Sequence, residues 1–546
     1  MKNDKYILGF SDSVHDRSVC LLKNNKILIA IEEERLSRVR YGIDFGDLDK
    51  TDHRVFSKLN LDYETRNYNE GRLLPLLNYC LNETNLTIDD IDLMIGNSLN
   101  LATPFIDRAV YINHHYAHAA SCFYTSGLNE AAILVIDGYG DQLSEDNFET
   151  VSIFYGIGNC IKSVYQFGGN KVGSHLRHSL GIFYRIATLL SGFGIMDEGK
   201  TMGLAAYGNP IYAEQILSYV TFTPTDILIE NDDIFHHFSE IRKDTNFSNQ
   251  ADIAASFQLV IEKMINHYAL LAIELTGVHT LCITGGVGLN CVANQKLMNS
   301  GNFEDIFIFP APADNGISVG AAYVGAHRIF NLPRCERIQS ISLGKRYSDG
   351  EIELALKNYN LSYELKSDTE LYTELANCLV LDQVVMWYQG GSEFGPRALG
   401  YRSILADPRN KDVRTFINKK IKSRENFRPL SPAILAEHCD MWFSCSHSPF
   451  MLFTPDVDEI CRERAPGIVH QDGTARVQSV EEHQNPHLYK LLLAFYHLTD
   501  VPLLLNTSFN TQGEPIVETP SEAIRTFLES PVTVLCIGSF IVRKNK

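Results

Sequence analysis

The sequence predicts an α/β protein built from two domains. Its 546 residues exceed what one ordinary hydrophobic core accommodates. Short apolar segments of strand length alternate with longer segments of helical periodicity, and glycine-containing turns separate them. The composition, 45% hydrophobic and 21% charged, is typical of a folded soluble chain.

Three predicted strands open the chain. The segments KYILGFSD, RSVCLLK and KILIAIEE have the apolar density of buried strands, with a tight turn at Asn24 and Asn25. A comparable set recurs as AAILVIDGYG, VSIFYGIGN and CIKSVYQFG. An acidic residue, Asp12 or Asp137, ends the first strand of each set. The two sets share little identity, so we interpret them as an architectural repeat whose halves meet at a cleft.

Helices are predicted where apolar residues recur three and four positions apart. One is HHYAHAASCFYTSG, ending at Gly127, and a long one runs to Gly277. Two later segments, HTLCITGGVGLNCVANQKLMN and IFIFPAPADNGISVGAAYVGA, each follow the order strand, turn, helix. Such units are where α/β proteins place ligands.

A polar stretch without a clear period, between residues 331 and 351, predicts the domain boundary. We place the first domain at 1–335 and the second at 336–546. The second domain is again predicted to be α/β, with a late strand in VPLLLNTSFN.

Charge, cysteine content and hydropathy exclude several classes of protein. The net charge of -18 would repel a nucleic-acid backbone, and clustered cations occur only between Lys419 and Arg428. The 12 cysteines form no C-x-x-C pair, so we expect mostly reduced core residues. A secretory leader and a membrane-length apolar run are lacking, which predicts a cytoplasmic protein without membrane contact.

The spacing of His114 and His118 places both on one face of a helix, where they could share a metal ion. His115 points elsewhere, and the H-E-x-x-H motif is absent. Taken alone, the pair favours a structural explanation, with one histidine in the core and the others solvated. Asp137 and Asp314 could complete a two-His, two-Asp site suited to Fe²⁺, Mn²⁺ or Zn²⁺.

A nucleotide could bind at TGGVGLN (284–290), where glycines precede a helix. Neither a Rossmann fingerprint nor a P-loop is present, and a glycine turn needed only for packing is an open alternative. In DEGKTMGLAAYG, Glu198, Gly199 and Lys200 could contact a ligand, although Lys200 could equally be exposed.

The second domain offers cations and hydrogen-bond donors suited to phosphoryl oxygens. They are Lys422, Arg424, Arg428, Arg476, Ser508 and Asn510. A solvated basic face is the alternative. The glycines around Ser392 do not match a nucleophile elbow, which argues against a serine hydrolase.

Taken in order, nine segments resemble the O-carbamoyltransferase family that includes NodU and CmcH. They are HHYAHAASCFYTSG, IDGYGD, EGKTMGLAAYG, GGVGLNCVAN, DNG, GGSEFGPRALGYRSILADPRN, FRPLSPAIL, DGTARVQ and LNTSFNTQGEPIV. The resemblance implies an N-terminal Kae1-like domain of the actin-like ATPase fold, a duplicated ribonuclease H-like core, and a YrdC-like C-terminal domain.

The resemblance also implies the reaction. The C-terminal domain would convert carbamoyl phosphate and ATP, with Mg²⁺, into carbamoyladenylate, releasing phosphate and pyrophosphate. The N-terminal domain would transfer the carbamoyl group to a hydroxyl of a small-molecule acceptor, a natural product or sugar, releasing AMP.

By the same resemblance, His114, His118, Asp137 and Asp314 would hold the metal, with Fe²⁺ expected. His15, with Asp12, would act as general base toward the acceptor; His15 could alternatively only position Asp16. Arg17 is bulkier than the small residue of many relatives and is expected to alter the acceptor pocket. Residues expected to bind the adenylate or phosphates are Glu198, Gly199, Lys200, Gly285, Gly286, Asn290, Arg397, Arg402, Lys422, Arg424, Arg476, Ser508 and Asn510.

Two other functions fit parts of this pattern. A threonylcarbamoyl transferase acting on tRNA shares both domain types, but the acidic charge argues against a tRNA substrate. A catalytically silent nucleotide-binding protein is the other, opposed by the intact His15 and candidate metal ligands. The oligomeric state is open, and a homodimer is compatible with the sequence.

Overall fold

The computed structural model describes residues 4–42, 73–98, 108–172, 175–445 and 447–544. The chain divides into two compact units. The first consists of Met1–Glu33 and Tyr41–Ile338, and the second of Glu34–Arg40 and Gln339–Lys546. The change of unit thus falls three residues after the predicted boundary. The sequence did not indicate that a short N-terminal segment, including most of helix α1 (Glu33–Ser37), joins the second unit.

The first unit contains a five-stranded sheet in the order β3-β2-β1-β4-β5. Strand β2 is antiparallel to both β1 and β3, whereas β4 runs parallel to both β1 and β5. The strands are β1 (Tyr6–Asp12), β2 (Ser18–Lys23), β3 (Lys26–Glu32), β4 (Leu93–Ser98) and β5 (Ala109–Tyr111).

A second sheet of the same unit repeats this topology. Its strands are β6 (Glu130–Ile136), β7 (Gln142–Ser144), β8 (Asn147–Ile157), β9 (Cys160–Val172), β10 (His175–Leu176), β13 (Thr280–Thr284) and β14 (Asp305–Ile308). The main order is β10-β9-β8-β6-β13-β14, with β7 paired to β8. Strands β9, β8 and β6 are antiparallel, and β6, β13 and β14 are parallel. The architectural repeat predicted from the two strand sets is therefore present.

Helices of the first unit cover both sheets, and two further strands form a separate ribbon. The ribbon is β11 (Val220–Phe222) and β12 (Ile227–Ile229). The helices are α2 (Leu73–Thr84), α3 (His114–Thr125), α4 (Leu180–Leu190), α5 (Glu198–Ala205), α6 (Ala213–Leu217), α7 (Asn231–Ile241), α8 (Phe247–Thr276), α9 (Cys291–Asn299) and α10 (Ile317–Val324).

Both predicted helix ends are confirmed. Gly127 has a φ of 73° just beyond α3, and Gly277 caps α8 at a φ of 72°. Helices α3 and α10 pack so closely that a Cβ on Gly320 would clash with the carbonyl oxygen of Ala117. This contact brings the start of α10 to the histidine-bearing helix.

The second unit is built on an eight-stranded mixed sheet in the order β15-β22-β21-β16-β17-β20-β18-β19. Its strands are β15 (Tyr363–Leu365), β16 (Val385–Tyr388), β17 (Arg402–Ala406), β18 (Ser431–Leu435), β19 (Gln478–Val480), β20 (Leu503–Ser508), β21 (Val534–Ile537) and β22 (Phe540–Arg543). Its helices are α11 (Asp349–Asn358), α12 (Asp368–Val380), α13 (Val413–Phe416), α14 (Cys439–Trp442), α15 (Glu459–Arg464), α16 (Pro486–Thr499) and α17 (Pro520–Glu529).

Two further observations concern the cysteines and the apolar character of the helices. The 12 cysteines all lie in the described ranges, form no disulfide with one another, and are mostly buried. Within the described ranges, none of the helices has the length and apolarity needed to cross a bilayer.

Candidate active site

Four buried side chains of the first unit converge at one sheet edge. Asp137 directly follows β6, and Asp314 follows β14 and begins the short 3-10 turn Asp314–Gly316 before α10. His114 and His118 lie one turn apart on α3, with ring centroids 4.8 Å from each other. Since β6, β13 and β14 are parallel, their carboxyl ends meet where a ligand site is expected.

The four residues form a compact ligand set. One ligand atom from each lies within 4.8 Å of the others. His114 Nε2 is 3.2 Å from Asp137 Oδ2 and 3.6 Å from Asp314 Oδ1; His118 Nε2 is 4.0 Å and 3.5 Å from the same atoms. Ligands bound to one ion at about 2.0–2.2 Å are separated by roughly 3–4 Å. The spacing therefore fits a divalent cation.

Burial and charge support the same interpretation. Both histidines are 0% exposed, and two buried carboxylates without a cation would be costly. Burial opposes ionisation of Asp137, but the His114 hydrogen bond and the His118 charge hold the pKa of Asp137 below its usual value. Burial would likewise lower the pKa of His114, yet Asp314 and Asp137 raise that pKa to about 9. The cluster thus attracts positive charge.

His115 does not belong to this set, as its position on the helix predicts. Its Nδ1 lies 2.8 Å from Ser152 Oγ, and it is not among the four converging ligands. Burial, followed by the charge of His114, lowers the pKa of His115 well below its usual value. His115 is a neutral core side chain.

His15 lies in the turn after β1, in the electrostatic field of the cluster. Its Nδ1 is 2.9 Å from Asp16 Oδ2, so Asp16 orients the ring. Burial would lower the pKa of His15, but Asp314 and Asp16 raise it to about 9. A general base must be neutral, so this role requires the charge of Asp314 to be compensated, as a bound cation would do.

Asp12 and Arg17 form a buried ion pair. Arg17 Nε is 3.0 Å from Asp12 Oδ1, and Arg17 Nη1 is 3.0 Å from Glu33 Oε2. The Arg17 side chain is 1% exposed. The guanidinium is therefore held inside the fold by two carboxylates, and its effect on an acceptor pocket stays a prediction. Asp12 is likewise engaged by Arg17, which leaves its catalytic role a prediction.

The three predicted ligand-binding residues at the start of helix α5 have different surroundings. Glu198 Oε1 is 3.8 Å from Arg185 Nε, and burial raises the pKa of Glu198 against the opposing charge of Arg185. A Cβ on Gly199 would meet nothing within 4 Å, so this backbone is open to a ligand. Lys200 instead pairs with Asp197 at 2.8 Å.

The glycine turn after β13 supports the cluster directly. The Gly286 amide donates to Asp137 Oδ1 at 3.1 Å, which leaves Oδ2 facing His114. Gly285 has a φ of 87°, and a Cβ there would clash with the Ile136 carbonyl oxygen. Asn290 is the N-cap of α9 and also pairs with the Gln258 amide. The predicted contact of Asn290 with an adenylate would therefore be made in addition to these hydrogen bonds.

In the second unit, the structure brings together Lys422, Ser508 and Asn510. The buried Lys422 ammonium donates to the backbone oxygens and side chains of Ser508 and Asn510. Burial, followed by the charges of Arg424 and Arg428, lowers the pKa of Lys422 well below its usual value. This environment favours an anion, which would stabilise the charged amine.

Arginines surround this lysine. Burial lowers the pKa of Arg424 to about 9, and the charges of Arg428 and Arg476 act in the same direction. Arg424 Nε donates to Asn418 Oδ1 at 2.8 Å, and Arg476 Nε donates to Ser431 Oγ at 3.1 Å. The predicted K-x-R and S-x-N residues thus lie in one cationic region, whereas Lys419 and Lys420 are exposed.

Comparisons with known proteins agree with this two-part arrangement. The model of the carbamoyltransferase N-terminus matches residues 43–323, and that of the carbamoyltransferase C-terminus matches residues 376–544. An uncharacterised Synechocystis protein is 33% identical over 99% of this chain and 97% of its own length. The nodulation protein NolNO of Sinorhizobium fredii is 32% identical over 97% of this chain and 79% of its own. The chain belongs to the carbamoyltransferase family.

Among solved structures, HypF of T. kodakarensis aligns with 60% of this carbamoyltransferase and 48% of its own chain. The identity is 15% and the TM-score is 0.35.

Two predicted arginines of the carbamoyltransferase lie on or beside the loop before β17. Arg402 is fully buried, donates to the carbonyls of Gln389 and Gly390 at 2.7 and 3.1 Å, and stacks on Tyr388. These contacts give Arg402 a structural role besides the predicted one. Arg397 is partly buried on the same loop, and its contact with phosphate stays a prediction.

Sequence reasoning missed several residues of the site. Asn97 contacts His114, and Arg185 faces Glu198. The segment Glu34–Arg40 was also missed: Arg38 donates to the carbonyls of Pro515 and Ile516, close to the S-x-N residues. A polar residue at the end of the apolar segment DLMIGNS was the available signal for Asn97; the contacts of Arg38 have no local signal.

Proposed function

We propose that this carbamoyltransferase uses ATP and carbamoyl phosphate to form carbamoyladenylate in its second unit and transfers the carbamoyl group to a hydroxyl in its first. The observation that carries the proposal is the desolvated cationic cluster around Lys422, which suits phosphoryl groups. Phosphate and pyrophosphate both leave during activation, so one water is consumed. AMP leaves on transfer.

The first unit offers the groups that the transfer step needs. Asp16 holds Nδ1 of His15, so Nε2 is available to accept the proton of the acceptor hydroxyl. The residues His114, His118, Asp137 and Asp314 would hold a divalent ion, for which we propose Fe²⁺. Such an ion supplies Lewis-acid polarisation of the carbamoyl carbonyl. We assign the repeated sheets to the actin-like, Kae1-like core and the second unit to the YrdC-like type.

A small molecule is the acceptor that we propose. The net charge of -18 disfavours tRNA, and this supports a sugar or natural-product hydroxyl. We further propose that the enzyme works in the cytoplasm without nucleic-acid or membrane contact, and that Mg²⁺ accompanies ATP.

Anaerobic incubation with ATP, labelled carbamoyl phosphate and Fe²⁺ tests the activation step. We expect pyrophosphate release and a labelled adenylate resolved by chromatography. Omitting carbamoyl phosphate is the control and should abolish pyrophosphate release. A protein that forms no adenylate under these conditions contradicts the proposal, and pyrophosphate release that requires threonine would favour the tRNA-modifying alternative.

A further inference from the structure

We propose that Asn97 is a positioning residue for the candidate metal centre, fixing the tautomer and ring orientation of His114. Asn97 lies on β4 and is 4% exposed. It is not one of the four converging ligands. The inference rests on the metal centre of the proposed function and adds a residue that acts through His114.

Hydrogen bonds determine the orientation of the Asn97 amide. Its Nδ2 donates to the Ile112 carbonyl at 2.9 Å and faces Asp141 Oδ1 at 3.5 Å. Both partners only accept, so the NH₂ group must point toward them. The side-chain oxygen is then the atom that faces His114 Nδ1, at 3.2 Å.

This orientation decides which nitrogen of His114 carries its proton. An amide oxygen only accepts, so His114 Nδ1 must be the donor. In the neutral ring, Nε2 then bears the lone pair, and Nε2 is the nitrogen that faces Asp137 and Asp314. A metal ion binds the unprotonated imidazole nitrogen, and a partner on the other nitrogen raises its basicity. Asn97 therefore prepares His114 to bind through Nε2.

The two histidines differ in this respect. Neither ring nitrogen of His118 has a hydrogen-bond partner within the part of the chain that the structure describes. His114 is additionally fixed through its backbone, because its amide donates to Asp141 Oδ2 at 2.7 Å. Asn97 thus orients the more constrained of the two imidazoles.

Asn113 provides a matched control for Asn97. It caps the same helix by accepting from the Tyr116 amide and donates to Asp141 at 3.0 Å. Its described side-chain bonds go to Tyr116, Asp141 and Glu149, and none goes to the His114 ring. Asn113→Leu therefore removes polar contacts at this helix end without removing the acceptor for His114 Nδ1.

Zn²⁺ affinity of the full chain tests the inference. The metal-stripped wild type, Asn97→Leu and Asn113→Leu are titrated with Zn²⁺ against a competing chelator. We expect Asn97→Leu to weaken binding by about 10- to 100-fold and Asn113→Leu by less than about threefold. Equal affinity of Asn97→Leu and the wild type, or an equal loss in both variants, overturns the inference.

Tautomer measurement on the wild type keeps the inference testable if Asn97→Leu does not fold. In Zn²⁺-loaded protein with ¹⁵N-labelled histidine, long-range ¹H–¹⁵N correlations should show His114 metal-bound at Nε2 and protonated at Nδ1. Binding through Nδ1 overturns the role of Asn97. A wild type that binds no Zn²⁺ instead refutes the metal centre itself, so the two failures are distinguishable.

Discussion

His118 illustrates how much a single residue depends on its surroundings in this protein. It is fully buried, and its Nε2 lies 3.5 Å from Asp314 Oδ1 and 4.0 Å from Asp137 Oδ2. His115, three positions earlier on the same helix, is equally buried but bonds Ser152. Burial is therefore the same for the two residues, and only one of them faces the carboxylates.

This difference predicts the metal content of two matched variants. His118→Gln should lose the bound ion because one of four ligands is removed, whereas His115→Gln should retain it. Anaerobic loading with Fe²⁺ followed by elemental analysis measures the stoichiometry. Loss of metal from His115→Gln, with His118→Gln still loaded, would reverse the assignment.

Lys422 predicts a pH dependence at the second cluster. Burial and the charges of Arg424 and Arg428 place its folded pKa below the unfolded value. The unfolded chain therefore holds more protons between those two pKa values, and the free energy of unfolding should rise with pH across that window. An anion that raises the pKa of the folded form should be bound with proton uptake, and its affinity should fall as pH rises.

Sulfate is a suitable probe, since it does not titrate between about pH 6 and 10. Calorimetry in two buffers of different ionisation enthalpy measures the protons taken up on binding. Lys422→Met should abolish this uptake. Sulfate binding with no proton uptake in the wild type would contradict the lowered pKa.

Strand ends and the turns after them position the two carboxylates among the candidate metal ligands. Asp137 follows β6, the Gly285–Gly286 turn follows β13, and Asp314 follows β14. The turn after β13 contributes an amide to Asp137 and requires a left-handed residue at Gly285. The two histidines come from helix α3, which precedes β6 in the chain.

Two glycine substitutions test this account. Gly285→Ala should destabilise the first unit by about 1–3 kcal/mol or more, because of its φ of 87° and the clash with Ile136. Gly199→Ala, in helix α5 with free space around it, should be neutral or stabilise by up to about 1 kcal/mol. Thermal unfolding compares the two, and a Gly285→Ala variant as stable as the wild type would contradict the strain.

The molecule as a whole carries two chemically opposite sites, one in each unit. The first combines carboxylates and imidazoles, and the second collects a lysine with several arginines. Carboxylates and imidazoles suit a cation, and the second set suits phosphoryl groups. This contrast is the basis on which we propose that adenylate formation and carbamoyl transfer take place in different units.

We predict that single substitutions can abolish adenylate formation and carbamoyl transfer separately. Arg476→Ala should reduce pyrophosphate release at least about 10-fold, since a charged contact to phosphate is removed. His15→Ala should keep pyrophosphate release and stop carbamoyl transfer to a panel of hydroxyl compounds. Arg525→Ala, at an exposed position on α17, is the control. A folded His15→Ala variant that loses both activities would contradict the division.

The sequence by itself determined the strand sets, the helix ends at Gly127 and Gly277, and the shared face of His114 and His118. These features depend on local periodicity and turn chemistry, which neighbouring residues specify. The polar stretch between residues 331 and 351 also indicated a domain boundary, which we placed after residue 335, and the ordered motifs identified the family.

Only the tertiary structure decided which distant side chains meet. The contact of Asn97 with His114, the enclosure of Arg17 by Asp12 and Glu33, and the desolvation of Lys422 join residues from separate elements. The membership of Glu34–Arg40 in the second unit likewise depends on contacts between residues far apart in the sequence. Such contacts depend on how sheets and helices pack, and no local pattern in a single sequence encodes that packing.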